Sequence, residues 1–310
     1  MIIKVLGSAA GGGLPQWNCN GRNSRDVRAG LGGLVGRTQS SLAVSADGRR
    51  WCLLNASPDI RKQIGDTVEL QPHADEGARN SPIEAVLLTN ADVDHVAGLL
   101  SLRESQAFTL YAADRVLNTL NRNSIFNVLN PDVVTRKEVT FDRAFELAGP
   151  EGEFGLTARV FAVPGKIALY LEDAEAGANF GSQVGDTVGV EIVEPHTGAR
   201  FFYIPGCAEI DDRLRERLLD APLVLFDGTL FTNDEMIDQG LSAKTGARMG
   251  HMNMSGDDGS MAAFEDLGVT RRIYIHINNS NPVLRDPSPE REQVAKAGWE
   301  IAFDGMEVRL

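Results

Sequence analysis

Short apolar, β-branched runs alternate along the chain with glycine-bearing turns and amphipathic stretches. Apolar runs of this kind, bounded by turn residues, read as strands. The pattern predicts strands over residues 2–6, 39–45, 49–55, 83–88, 108–111, 139–147, 156–163, 188–194, 200–204, 223–226 and 271–277. Helices are predicted over 96–102, 114–120, 211–219, 259–267 and 290–297, and Ser57-Pro58 reads as the cap and first position of another. Asp47-Gly48 closes a hairpin, His196-Thr197-Gly198 a second and Asp304-Gly305 a third, within 299–310. Residues 20–38 read as an exposed basic loop, 71–81 as a polar loop carrying His73, and 171–185 as an acidic, Gly-rich loop; 231–256 hold no clear strand. Two hairpin-rich halves interleaved with helices imply an α/β fold, two sheets face to face with helices outside, αββα. No linker or repeat divides the chain, so residues 1–310 are expected to form one domain.

A hydrophobic content of 43% over 310 residues is compatible with a well-filled core. The net charge of −13 weighs against nucleic acid or an anionic membrane as partner, because phosphate binding draws on clustered Lys and Arg. Cys19, Cys52 and Cys207 make no C-x-x-C pair, and their odd number gives no disulfide framework. The first residues read as a strand rather than a signal peptide, and no apolar run approaches a membrane span; a soluble, cytoplasmic protein is expected. Nothing in the pattern fixes an oligomeric state.

Chemistry gathers at strand ends. Asn90-Ala91-Asp92-Val93-Asp94-His95 follows the strand at 83–88, where α/β folds place their sites. A helix cap there needs one such residue. Four polar groups in six positions exceed that need and suit a divalent metal. Asp227 and His276 also end short apolar strands, and a buried acid at Asp227 is costly unless paired or metal-bound. Gly11-Gly12-Gly13 lacks both the G-x-G-x-x-G spacing and a following Lys-Ser/Thr, so it reads as a tight loop under the site. Asp59 reads either as a residue orienting a histidine of the site or as a first-turn acid facing a helix dipole.

The central hexapeptide resembles the H-x-H-x-D-H motif of the metallo-β-lactamase fold, with Asn90 and Asp92 in place of the leading histidines. Over nearly its full length the chain resembles the coenzyme PQQ synthesis protein B family. The runs that carry this are Gly7 to Trp17, Gln39-Ser40-Ser41, Asn55-Ala56-Ser57-Pro58-Asp59-Ile60-Arg61, Thr89 to Leu99, Phe226-Asp227-Gly228-Thr229 and His276 to Pro282. The resemblance implies a sandwich of the metallo-β-lactamase type. It implies a complete second metal site, Asp94, His95 and His276 with Asp227 as bridging acid. The first site is dismantled, with Asn90, Asp92 and Lys166 where histidines would stand. A protonated lysine cannot ligate and repels a second cation. One divalent metal is therefore expected, with Asp92 as a further carboxylate ligand and Asn90 supporting the ligands. Two histidines with one or two carboxylates resemble the facial triad that suits Fe(II), while zinc accepts the same donors. His251 resembles the extra histidine of the transfer RNA 3′-processing nuclease and phosphodiesterase branch. It reads equally as a substrate-side acid or base and as a structural loop histidine. Many family members carry a zinc-binding C-x-C-x-x-C cluster after Pro-Gln-Trp-Asn. Here only Cys19 remains, with Gly21 and Ser24 at the other positions, so no structural zinc is expected.

The resemblance implies an iron-dependent oxygenase of PQQ biosynthesis that hydroxylates the tyrosine-derived ring of a cross-linked Glu–Tyr intermediate. Its partners would be a small aromatic amino-acid substrate and O₂, with His251 and Lys166 as catalytic residues. Lys166 and the arginines of residues 22–37 are the expected cations for such an anionic substrate. Two other functions fit the residues. One is a metallohydrolase acting on an ester or phosphodiester, which the dismantled first site weighs against. The other is a carrier or binding protein for PQQ or its precursor.

Overall fold

The computed structural model describes residues 1–31, 33–177 and 179–310. In chain order, β1 (Ile2–Gly7), β2 (Ser41–Ser45), β3 (Trp51–Leu54), β4 (Ile83–Leu87), β5 (Phe108–Ala112) and β6 (Val134–Glu138) build the first sheet. The second sheet contains β7 (Ala144–Gly149), β8 (Gly152–Ala162), β9 (Val188–Glu194), β10 (Ala199–Ile204), β11 (Leu223–Asp227), β12 (Arg271–Ile275) and β13 (Trp299–Ile301); β14 (Glu307–Arg309) returns to the first, beside β1. Both sheets share one plan. Antiparallel strands lead into a parallel run, β3 to β6 in one and β10 to β13 in the other. Parallel neighbours need crossovers, and these put helices on the outer faces.

Successive residues of a strand face opposite ways. Ala85 and Leu87 of β4 meet Val190, Tyr203, Leu225 and Ile275 between the sheets. Val86 and Leu88 instead face Ile60, Val96 and Val116 on one outer side, and Val224 and Phe226 face Leu214, Leu218 and Val294 on the other. Three apolar layers thus separate four layers of structure, the expected αββα arrangement. Strands buried on both faces show as continuous apolar runs, which is why β4 and β11 were visible in the sequence. Among the described residues no helix is long and apolar enough to cross a membrane.

The structure departs from expectation in several places. Residues 20–38 include a helix, Arg22–Arg28, whose Asn23 is buried and donates to the carbonyls of Asn279 and Asn281. The strand expected over 139–147 is β7, shifted to Ala144–Gly149, and the edge strand β6 before it is unexpected, because its Val-Thr-Arg-Lys-Glu sequence is too polar to show as an apolar run. Residues 299–310 are no hairpin: β13 lies parallel to β12 and β14 antiparallel to β1, in different sheets. Ser57 does not cap its helix, which runs Ile60–Asp66; its hydroxyl bonds Gln63 instead. The segment after His95 is a 3-10 helix, Ala97–Leu102, and the helix expected over 259–267 is one turn, Ser260–Ala263.

Candidate metal centre

The C-terminal ends of β4, β11 and β12 meet at one rim of the sandwich, around a cavity of about 400 Å³. Asp94 and His95 sit in a single helical turn, Val93–Val96, reached from β4 through the short segment 88–92. That turn is pinned to the chain leaving β3: Ala56 N donates to His95 O (2.8 Å) and Gly98 N to Ala56 O (2.9 Å). A β-carbon at Gly98 would lie 2.1 Å from the Ser57 carbonyl oxygen, so only glycine permits this approach.

His95 is buried, and its two nitrogens are differently placed. Nδ1 lies 2.7 Å from Asn90 Oδ1, which can only accept, so this nitrogen carries the proton. Nε2 is buried with no hydrogen-bond partner, 3.7 Å from Asp94 Oδ2. An orphaned, unprotonated imidazole nitrogen facing a carboxylate is a metal donor in waiting. Burial pushes the His95 pKa down to about 4 against the pull of Asp94, so the ring is neutral at physiological pH.

His276 follows β12 at φ 58°, a left-handed conformation that costs a non-glycine residue about 1–2 kcal/mol. Thr229 Oγ1 donates to Asp227 Oδ1 (2.6 Å) and accepts from His276 Nδ1 (2.9 Å). The other nitrogen, Nε2, lies 3.1 Å from Asp94 Oδ2. Burial alone would raise the Asp94 pKa, but His95 and the His276 hydrogen bond hold it well below the usual carboxylate range. Ligand atoms of Asp94, His95 and His276 all lie within 4.8 Å of one another. This donor set fits one divalent metal.

Asp227, His251 and His276 form a second such group, overlapping the first at His276. Asp227 is fully buried and accepts four hydrogen bonds, from the Cys207 and Thr229 amides, the Thr229 hydroxyl and His251 Nδ1, the last at 2.6 Å. Burial would lower the His251 pKa, but the charge of Asp227 and its hydrogen bond hold it above the ordinary value. Asp227 therefore both neighbours the ligands and orients His251.

Other expected residues stand differently. Asp92 lines the cavity but belongs to neither donor group; the Asn90 amide holds its Oδ2 at 2.9 Å. Burial and the neighbouring Asp94 push its pKa up to about 6. Lys166 lines the cavity too, yet its ammonium is paired with Glu172, which also accepts from Arg248 (2.7 Å). A lysine so held is a fixed cation rather than a proton-transfer group. Asp59 touches no histidine: its Oδ2 accepts from the Gln39 amide and side chain, and Gln39 in turn binds Gly12 N, so Asp59 braces the glycine loop. Thr229, Glu172, Arg248 and Lys244 went unnoticed in the sequence. Only Thr229 left a trace there, in Asp227-Gly228-Thr229.

The beta-lactamase superfamily domain matches residues 50–277, which include the whole Asp94, His95 and His276 centre, and places the chain in that superfamily. The chain is 53% identical over 308 residues to coenzyme PQQ synthesis protein B of Rhizobium meliloti (strain 1021), covering 99% of this chain and 97% of the relative. It is 50% identical to that of Xanthomonas axonopodis pv. citri (strain 306), over 100% of both. The crystal structure of Zn(2+)-bound PqqB from Methylobacterium extorquens superposes with TM-score 0.93 at 48% identity, over 100% of both chains. The chain belongs to the coenzyme PQQ synthesis protein B family.

Proposed function

We propose that this protein acts in PQQ biosynthesis as a single-metal oxygenase that hydroxylates the tyrosine-derived ring of a cross-linked Glu–Tyr intermediate. Family membership supports the pathway. The observation that carries the reaction class is the Asp94, His95 and His276 group, two imidazoles and one carboxylate converging on one point. When bound there, a redox-active divalent metal such as Fe(II) supplies activation of dioxygen, whereas zinc, which the same donors accept, is redox-inert.

The chain's own residues do the rest. Asn90 and Thr229 accept the Nδ1 protons of the two imidazoles, so that each ring turns its Nε2 toward Asp94. Asp227 holds Nδ1 of His251, so His251 Nε2 is the nitrogen left to take a proton from the substrate's ring hydroxyl. Leu169, Met236 and Met249 give the cavity an apolar wall suited to an aromatic ring. Hydroxylation converts an aryl C–H to C–OH, and the second oxygen atom leaves as water, taking up two protons and two electrons from an added organic reductant such as ascorbate.

Phosphodiester hydrolysis is the competing reading. The pairing of Lys166 with Glu172, where the dismantled site would take a third histidine, weighs against a second metal. Anaerobic reconstitution with Fe(II), followed by oxygen uptake with a dihydroxylated aromatic amino acid, decides between them. Uptake by the iron form alone is expected. Phosphodiester cleavage by the zinc form without any oxygen uptake would overturn the proposal.

A further inference from the structure

Among the described residues, two cations line the cavity, Lys166 and Lys244. Lys166 is held in an ion pair by Glu172, which it shares with Arg248. Lys244 is not: among the described residues no carboxylate lies within 4.0 Å of its ammonium. Its backbone is nonetheless held in place. Lys244 N donates to Ser242 Oγ (3.1 Å), Gly246 N to Asn233 O (2.8 Å), and His251 N to Gly246 O (3.0 Å). The turn that carries Lys244 is thus tied to the loop that carries His251. The acids that line the cavity, Asp92 and Asp94, lie with the histidines. The cavity therefore has a negative end at the donors, an apolar wall, and, at Lys244, an ammonium with no carboxylate partner among the described residues.

We infer that Lys244 anchors a carboxylate of the substrate and so sets which way an aromatic amino acid enters. A carboxylate is repelled by Asp92 and Asp94 and attracted by the lone unpaired ammonium. The ring is left to face the donor end along Leu169, Met236 and Met249. This inference rests on the aromatic amino-acid reading of the site. It makes Lys244 a specificity residue, distinct from the arginines of residues 22–37. Of those, Arg28 donates to backbone carbonyls of Cys19 and Gln16, and Arg37 to Ala302 O and Ser8 Oγ.

The test compares two ligands sharing one ring: dihydroxyphenylalanine and its decarboxylated amine. Calorimetry on the zinc-loaded protein reads their affinities for wild type, Lys244→Met and Lys244→Arg. A charge-assisted hydrogen bond of typical strength corresponds to roughly a ten- to hundredfold affinity ratio. Lys244→Met is expected to weaken the amino acid by about that factor and leave the amine unchanged, with Lys244→Arg retaining most of the difference. In turnover the same change raises KM and leaves kcat nearly intact. Equal losses for both ligands, or none for the amino acid, would overturn the anchoring role alone. Failure of wild type to bind either ligand would overturn the aromatic reading beneath it.

Discussion

Asn90 Oδ1 and His95 Nδ1 lie 2.7 Å apart, both buried, and this contact decides which nitrogen of His95 can meet a metal. An asparagine oxygen has no proton to give, so the imidazole must donate through Nδ1 and present Nε2. Asn90 is thus the support of the His95 ring.

Asn90→Leu should therefore weaken metal binding without removing a ligand. Loss of such outer support costs about 10- to 100-fold in affinity. Competition with a chromogenic chelator should show that drop while circular dichroism stays unchanged. Unaltered affinity would mean that the ring is oriented by packing alone.

His95→Ala and His276→Ala remove donors from separate strand ends. Both should lose the metal and all oxygen-dependent turnover while keeping the fold, because the strands are held by apolar burial on both faces. His251→Ala should retain the metal and lose rate, since its Nδ1 serves Asp227 rather than the donor group of Asp94, His95 and His276. Metal content, oxygen uptake and circular dichroism on the three variants separate the roles. Metal loss in His251→Ala would move that residue among the ligands.

Glu235 offers a test of the polar wall behind the cavity. It is buried, accepts from Phe231 N (2.7 Å) and Ser280 Oγ (2.5 Å), and burial pushes its pKa up to about 7. The folded state then binds more protons than the unfolded chain between pH about 4.5 and 7, so this residue's contribution to stability falls as pH rises through that window. The loss is on the order of 2–3 kcal/mol. Glu235→Gln cannot ionise, and the Ser280 hydroxyl can turn to accept from the amide. Urea unfolding at the two ends of the window should show a fall for wild type that the variant lacks. Parallel curves would place the carboxyl in a more polar setting.

Much of this is legible in the amino-acid sequence. β4, β11 and β12 announce themselves because both faces are buried, and the polar residues that end them stand out against the apolar runs. That pattern singles out Asp94, His95 and His276, whose ligand atoms the fold brings within 4.8 Å of one another. The helix Arg22–Arg28 does not show, since it is held by Asn23 hydrogen bonds to residues 256 and 258 positions away rather than by an apolar stripe. The separation of β13 from β14 was hidden for a similar reason: Asp304, between them, accepts from Ser8 and Thr38, a partnership set by tertiary structure. Of the two roles open to Asp59, the structure puts it at the start of the helix Ile60–Asp66 and away from the histidines, because a carboxylate near a site in sequence need not face it. Glu172, Arg248 and Lys244 carry no motif; tertiary structure alone brings the first two to Lys166 and the third to the cavity.

The most direct test of a single-metal oxygenase is the fate of isotopically labelled dioxygen. Protein loaded anaerobically with one Fe(II) per chain is mixed with a dihydroxylated aromatic amino acid, ascorbate as two-electron reductant and labelled O₂, and the product is read by mass spectrometry. Label in the new ring hydroxyl, absent in the His95→Ala and His276→Ala variants, is the expected result. Product oxygen drawn from solvent water, or full activity only with two metals per chain, would contradict it.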